Sequence, residues 1–492
     1  MNQDAADSPL RSKLFWVGVL YFAQGFPLGI FYDVLPVYFR QEGVELWKIG
    51  FMSLLGLAWT LKFLWAPAID HYRHHRRWMF IVDLAMGAVM LAFAAHSGFG
   101  PWVWVAVGLF TLFSATNDVA IDGYTIEFLH KDEMGRANGL RIGFYRVGML
   151  TAGVVLILSD WLGWAGTYLV ATALFAVFAF TCLRAPAEKE VDRPRSARLI
   201  TELRMLLAHP GALATVFLFL LGSLWLVNRS TGWSSQVQGF WWYAVATGAV
   251  VVGTSALRQP RGQALSERPV TDGPLFGTLL GMLQRPGMAA VIAFILLFKL
   301  GDAAMGFMVK PFWVDAGFSA SQIGLVSVNL GLAFSIAGGI AGGWVTDRVG
   351  IYHALWSLGL AQAVSNLGYA WAATVIPTGG TAAALPTAQV ALMYGASAVE
   401  SFTGGLGTGA FLAFLMAIVN KQHAATEYAL LSSVFALSRS VAGWAGGFGA
   451  EGMGYGPYFL LTFFLAFPAY LLLPWAKGML TYAASRSDWG QR

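Results

Sequence analysis

Apolar runs of about twenty residues recur along the whole chain, and each is long enough to cross a hydrocarbon core of about 30 Å as a helix rising about 1.5 Å per residue. They are Leu14–Tyr38, Trp47–Ile69, Met79–Ala95, Trp102–Tyr124, Ile142–Leu158, Trp164–Leu183, Gly211–Val227, Trp241–Ala256, Met288–Met308, Ile323–Val345, Ala354–Val375, Thr387–Ile418, Tyr428–Ala450 and Tyr458–Trp475. The fold class expected is therefore an all-α integral membrane protein of about fourteen spans. An even number puts both termini on the same side. A soluble helical protein would need far more charge than the 12% present here.

The basic residues orient the chain. Of the 31 lysines and arginines, 23 lie at the termini and in the gaps around Arg73, Lys131, Arg193, Arg261, Arg348 and Lys421. Four lie in the opposite gaps (Arg40, Lys48, Arg229 and Lys310) and four inside spans (Lys62, Arg146, Lys299 and Arg439). Basic residues beside span ends stay cytoplasmic, so both termini are expected in the cytoplasm. The net charge of +5 then reflects loops facing an anionic leaflet, and no nucleic-acid partner is expected. Trp47, Trp65, Trp78, Trp102 and Trp164 near span ends suit an interfacial aromatic belt. The one cysteine, Cys182, excludes an internal disulfide and Cys-based metal spacing. His71, His74 and His75 stand among arginines at a helix end, which reads as a positive loop, so neither metal nor cofactor is expected. The polar N-terminus leads into a span too long for a signal-peptide core, and the first helix is expected to be retained.

The chain also repeats. Pro36, an aromatic pair, Gly43 and Ile49-Gly50-Phe51 line up with Pro311, an aromatic pair, Gly317 and Ile323-Gly324-Leu325. Each second span of the pair ends in an acid among bases: Asp70 with Arg73, Arg76 and Arg77, and Asp347 with Arg348. Two parallel six-helix repeats are a transporter architecture with the solute site between them near mid-membrane. The expected organisation is a six-helix bundle over 1–184, linkers with an inserted helix pair over 185–286 (spans near 211–227 and 241–256), a second bundle over 287–477 and a cytoplasmic tail over 478–492. The inserted pair holds no ionisable residue within its spans and is expected to face lipid.

Ionisable residues inside spans cost at least ~2.5 kcal/mol each and so face partners or a water-filled path. Counting depth from the cytoplasmic end puts Asp118 and Arg146 level, making them candidates to pair, with Asp122 one turn from Asp118. Lys62 lies within reach of either aspartate or of Asp83. In the second half Lys299, Glu400 and Arg439 fall near mid-membrane, with Asp302 one turn from Lys299. Burial favours the neutral acid and a nearby cation favours the carboxylate, so Asp118, Asp122 and Glu400 are candidate proton-coupling groups. The excess of basic groups points to an anionic solute, with Arg146, Lys299, Asp302 and Arg439 as candidate binding residues. Asp70, Arg73, Arg76, Asp347 and Arg348 are expected to latch the cytoplasmic side. The glycines of 404–409 lack the Lys-Ser/Thr of a phosphate loop and lie within an apolar span, which points to close helix packing or unwound backbone lining a cavity.

Several stretches carry a family likeness. Ser114-Ala115-Thr116-Asn117-Asp118-Val119-Ala120-Ile121-Asp122-Gly123-Tyr124 and Tyr145-Arg146-Val147-Gly148-Met149 resemble the fourth and fifth helices of AmpG-like muropeptide permeases. Lys62 through Pro67 with Asp70, Lys299 through Ala303, and Glu400 with Gly404 through Thr408 are similar to further motifs of that branch. So are Asn420-Lys421, Ala425-Thr426, Ala429 through Ser432, and Arg439. The branch also includes acetyl-CoA transporters and lies within the major facilitator superfamily. The likeness implies two six-helix bundles with an inserted helix pair, and a proton-driven importer of anhydro-muropeptides in a bacterial inner membrane. The first span departs from the pattern at Phe31-Tyr32-Asp33 and Pro36-Val37-Tyr38, which leaves siderophores and CoA esters as alternative solutes.

The expected partners are thus a small amphiphilic anion, protons and the lipid bilayer. No nucleotide-binding motif points to a primary pump. A membrane-embedded enzyme would need an intramembrane His/Asp constellation, and no histidine falls in a charged cluster at mid-span. A non-transporting sensor would need its output in the polar linker, whose composition reads as unstructured.

Overall fold

The computed structural model describes residues 12–62, 65–66, 69, 74–96, 98–129, 134–187, 282, 284–380, 382–419 and 424–489. All regular structure among them is helical. We number the helices α1 (Lys13–Gln41), α2 (Leu46–Leu61), α3 (His75–Ala95), α4 (Pro101–Phe128), α5 (Met134–Arg184), α6 (Met288–Asp315), α7 (Ala320–Val349), α8 (Ile351–Val375), α9 (Thr387–Ile418), α10 (Ala424–Met453), α11 (Tyr455–Leu471) and α12 (Leu473–Trp489). Among the described residues seven helices are long and apolar enough to span a bilayer, or eight if the bent pair α11 and α12 forms one span. The apolar part of α5, 45 residues long, has the length of two spans and turns at Gly163, whose φ of 66° suits a residue without a side chain. Helices α8 and α10 are as long but more polar. The expected inserted pair lies outside the described residues.

The chain forms two compact units. The first comprises Met1–Val191, Ala290–Ile418 and Leu431–Arg492. The second comprises Asp192–Ala289 and Val419–Leu430, and within it the buried Arg285 guanidinium donates to Glu427.

Within the first unit, small residues set the helix spacing. A methyl group on Gly25 of α1 would lie 2.0 Å from the Tyr145 carbonyl oxygen of α5, and one on Gly405 of α9 would lie 2.2 Å from that of Ser335 in α7. Backbone against backbone is how helices gain contact area in a medium as apolar as their side chains. Gly405, Gly407 and Gly409 therefore serve close packing, the first of the two expected roles, within a continuous helix. The exterior is oily, with Val105, Ile142, Ile340 and Trp371 each more than 60% exposed, as a lipid-facing surface requires. The interior holds Phe26, Phe31, Phe39, Phe312, Trp313 and Tyr369.

The two halves of this unit repeat the same turn. After α1, Gly43 (φ 77°) donates to the Arg40 carbonyl and Val44 to that of Phe39. After α6, Gly317 (φ 82°) donates to Val314 and Phe318 to Trp313. Both are left-handed glycine caps that stop a proline-containing helix and send the chain back. The sequence alignment of these two stretches thus has a structural counterpart.

Candidate functional site

Helix α4 carries Asp118 and Asp122 one turn apart, and both reach the end of α2. Lys62 Nζ lies 3.3 Å from Asp118 Oδ2 and 4.0 Å from Asp122 Oδ2. Asp122 Oδ1 also accepts the Tyr21 hydroxyl at 2.6 Å and lies 3.1 Å from Arg141 Nη2. Arg141 sits over the Tyr21 ring at 4.8 Å, so the cation is held by a carboxylate and a π face together. Beneath this group Asp83, fully buried, accepts Asn117 Nδ2 at 2.8 Å and the Cys182 thiol at 3.6 Å. Two lysine- or arginine-bound aspartates on one helix make a charge cluster that tolerates burial because each acid has a cation.

The second half has its own lysine and two acids. Lys299 occupies the break in α6 between Phe298 and Leu300, where the backbone leaves the helical region (φ −106°, ψ 13°). Its ammonium donates to the Gly404 carbonyl at 3.0 Å and lies 3.4 Å from Asp302 Oδ2. Glu400, one turn before Gly404, accepts the Ser401 hydroxyl at 3.3 Å. A methyl group on Gly404 would stand 3.8 Å from Glu400 Oε1 and 3.9 Å from Asp302 Oδ1. Both carboxylates therefore converge beside this glycine, and Glu400 is within electrostatic reach of Asp302, Lys299 and Lys310.

Between the halves lie two arginines without acids. Arg439 of α10 stacks over the Tyr32 ring of α1 at 4.4 Å, yet remains exposed. Arg146 of α5 lies within electrostatic reach of Arg439, and no carboxylate pairs with either arginine among the described residues. Tyr32 is also flanked by Trp59, nearly parallel at 6.2 Å, and by Phe307 at 5.4 Å.

At the end of the unit opposite the amino terminus the halves are joined. Arg40 donates to both carboxylate oxygens of Asp315, at 2.6 and 2.7 Å, and Tyr455 adds a third bond to Oδ2 at 2.6 Å. Lys310 pairs with Asp33 at 3.2 Å, Leu46 N–H donates to Glu451 at 2.8 Å, and Ser321 N–H donates to Asp160 at 2.7 Å. Nearer the centre Ser53 donates to the Ser440 carbonyl at 2.6 Å. We refer to this as the distal seal.

The expected pairing of Asp118 with Arg146 is not what the structure has; Lys62 takes Asp118, and Arg141 takes Asp122. Residue counting fixes height along a helix but not direction around it, and Arg146 lies within electrostatic reach of Arg439 instead. Lys299, expected to meet solute, is only 4% exposed and spends its ammonium on Asp302 and Gly404. Of the expected latch, Asp70 and Arg73 lie outside the described residues. Arg76 lies in the first turn of α3, and Arg348, beside Asp347 at the end of α7, rests on the Trp344 ring at 3.8 Å. Tyr21, Arg141, Arg40 and Asp315 were not singled out by sequence reasoning. A signal for the distal seal was present: of the described basic residues in the sparse gaps, Arg40 and Lys310 each pair across the halves, while Lys48 pairs locally with Glu45.

Two family models match the chain: the Major Facilitator Superfamily over residues 57–376, more than half of its length, and Acetyl-coenzyme A transporter 1 over residues 13–99. An anhydromuropeptide permease of Escherichia coli is 26% identical over 480 residues, covering 94% of this chain and 79% of that one. A solved bacterial homolog of the human lysosomal transporter Spinster, inward-facing and unoccupied, matches with a TM-score of 0.64 at 12% identity, over 97% of this chain and 98% of its own. The nucleoside transporter NupG gives 0.61 at 12% identity, over 95% and 99%. At such identities the structural likeness speaks for the fold alone.

Proposed function

This chain belongs to the Major Facilitator Superfamily and is a transporter, and we propose that it imports anhydro-muropeptides across a bacterial inner membrane by proton symport, with both termini in the cytoplasm. The observation that carries the anionic solute is the pair Arg146 and Arg439. Neither has a carboxylate partner among the described residues, and each lies within electrostatic reach of the other. Two like charges within reach of one another disfavour each other, so the pair favours an occupant that brings negative charge. Arg146, from the first half, and Arg439, from the second, then bind the acidic groups of the solute. Tyr32 and Trp59 offer apolar ring faces beside them.

In this reading Asp118, Asp122 and Glu400 take and release protons. Lys299 and Asp302 hold Glu400 in its setting from beneath the solute. The cycle is alternating access, with the halves rocking about the central site. Given cytoplasmic termini, the distal seal closes the periplasmic side. Asp70, Arg73, Arg76, Asp347 and Arg348 would latch the other side in the opposite state.

Counterflow in proteoliposomes tests the reading. Liposomes preloaded with unlabelled anhydro-muropeptide should take up labelled muropeptide transiently, and an enzyme or sensor would not exchange it. A second reading, a CoA ester as solute, is favoured by the family model over residues 13–99. Its phosphates would suit the same two arginines, and acetyl-CoA in place of the muropeptide would then support counterflow.

A further inference from the structure

We propose that Lys310 is a shared cation that passes between Asp33 and Glu400, so that proton binding at Glu400 closes the distal seal. The inference rests on the proton-coupled reading above and adds to it a positioning residue that acts through its two acidic neighbours.

Lys310 faces both halves. Its ammonium is 3.2 Å from Asp33 Oδ1 of the opposite half, and both side chains are largely buried, at 16% and 12% exposure. From its own half it lies within electrostatic reach of Glu400, whose other charged or titratable neighbours are Asp302 and Lys299 on α6 and Tyr369 on α8. Lys299 is committed to Asp302 and the Gly404 carbonyl. Lys310 is thus the cation left to answer a change of charge on Glu400, and it can satisfy Glu400 fully only by leaving Asp33.

The backbone on both sides of this pair departs from a regular helix. Asp33 lies in a wide π turn, Ile30–Val34, set into α1 between Pro27 and Pro36. Such turns weaken the regular ladder and concentrate at functional sites. Lys310 precedes Pro311, which removes one backbone donor from α6 and frees the Phe307 carbonyl. Phe307 in turn packs edge-on against Phe31 and Tyr32. A hinge on each helix therefore meets at a single ion pair beside the aromatic layer under Arg439.

The order of events follows from charge. With Glu400 ionised, Lys310 is drawn to it, Asp33 loses its cation, and the distal side opens. A proton arriving from that side binds the Glu400 carboxylate, Lys310 returns to Asp33, and the halves close as observed. Release of the proton to the opposite side resets the switch. An unprotonated carrier then stays open distally, which prevents uncoupled leakage.

Pulsed electron-spin distances across the distal end test this. Labels are placed at the exposed positions Glu42→Cys and Thr378→Cys in a Cys182→Ala background, at about pH 5.5 and about pH 8.5, a range in which buried carboxylates titrate. The parent should shift from a long to a short distance on acidification. Glu400→Gln should be short at both pH values, Asp33→Asn long at both, and Lys310→Gln should lose the response. A Lys310→Gln protein that keeps the full pH response overturns the proposal. The paired exchange Asp33→Lys with Lys310→Asp guards against simple misfolding: a static bridge would be restored with its pH response, whereas a shared cation predicts closure without it. Uptake under a pH gradient is measured on the same parent. Proton-driven uptake with a gate indifferent to Lys310 sinks the link alone; a Lys310-dependent gate without proton-driven uptake sinks the symport reading alone.

Discussion

Arg40 and Asp315 face each other from the two halves and share two parallel hydrogen bonds, Nε to Oδ1 at 2.6 Å and Nη2 to Oδ2 at 2.7 Å. Bidentate, charge-assisted pairs of this kind are among the stronger polar contacts and fix direction as well as distance. Asp315→Asn removes the charge and one acceptor. Hydrogen bonds to charged groups contribute about 1.5–3 kcal/mol, so the closed distal state should lose roughly ten- to a hundredfold in relative population. Thiol labelling at a cysteine placed at the buried Val44 should accelerate accordingly in the variant.

The aspartate on α4 should separate coupling from exchange. Asp118→Asn keeps the shape but removes the titratable group that Lys62 holds. Accumulation driven by a pH gradient should disappear, while counterflow at equal concentrations persists. If the variant accumulates solute normally, Asp118 is a packing residue and coupling rests with Asp122 or Glu400.

Lys62 should be far less forgiving. Its removal strands Asp118 with Asp122 one turn away, and breaking a buried pair typically costs about 3–5 kcal/mol. Lys62 is partly exposed, so the lower end applies. We expect Lys62→Gln to show a lowered Tm in detergent, with Lys62→Gln in an Asp118→Asn background recovering part of the loss. Two losses that simply add would show that the two residues do not interact.

Orientation has its own check. With 23 basic residues in one set of gaps and four in the other, alkaline phosphatase fused after Arg492 should be inactive and a fusion near Gly232 active. Activity at the C-terminus would invert the topology and the sense of the distal seal with it.

The long described helices were legible because bilayer thickness sets a minimum length on each span, whereas the expected total of about fourteen reaches beyond the described residues. Leu14–Tyr38 became Lys13–Gln41, Thr387–Ile418 kept its bounds, and the gap between Leu158 and Trp164 became the turn at Gly163. The acids and bases of the site were also legible, since a charge inside an apolar run is conspicuous. Their partners were not. Asp118 and Arg146 share a depth, but a helix places neighbours 100° apart around its axis, and packing through Gly25 and Gly148 turns α5 so that Arg141 rather than Arg146 meets the α4 acids. Arg40 and Asp315 lie far apart in sequence and only the pairing of the halves brings them together.

The central claim is that proton entry drives an anionic solute past Arg146 and Arg439. Proteoliposomes containing the protein, given labelled anhydro-muropeptide and an inside-alkaline gradient, test it most directly. The account predicts accumulation above the external concentration, collapsed by a protonophore, and a raised apparent KM in Arg439→Gln and Arg146→Gln with coupling retained. Uptake that stops at equal concentrations with or without the gradient, or arginine variants with unchanged KM, would contradict it.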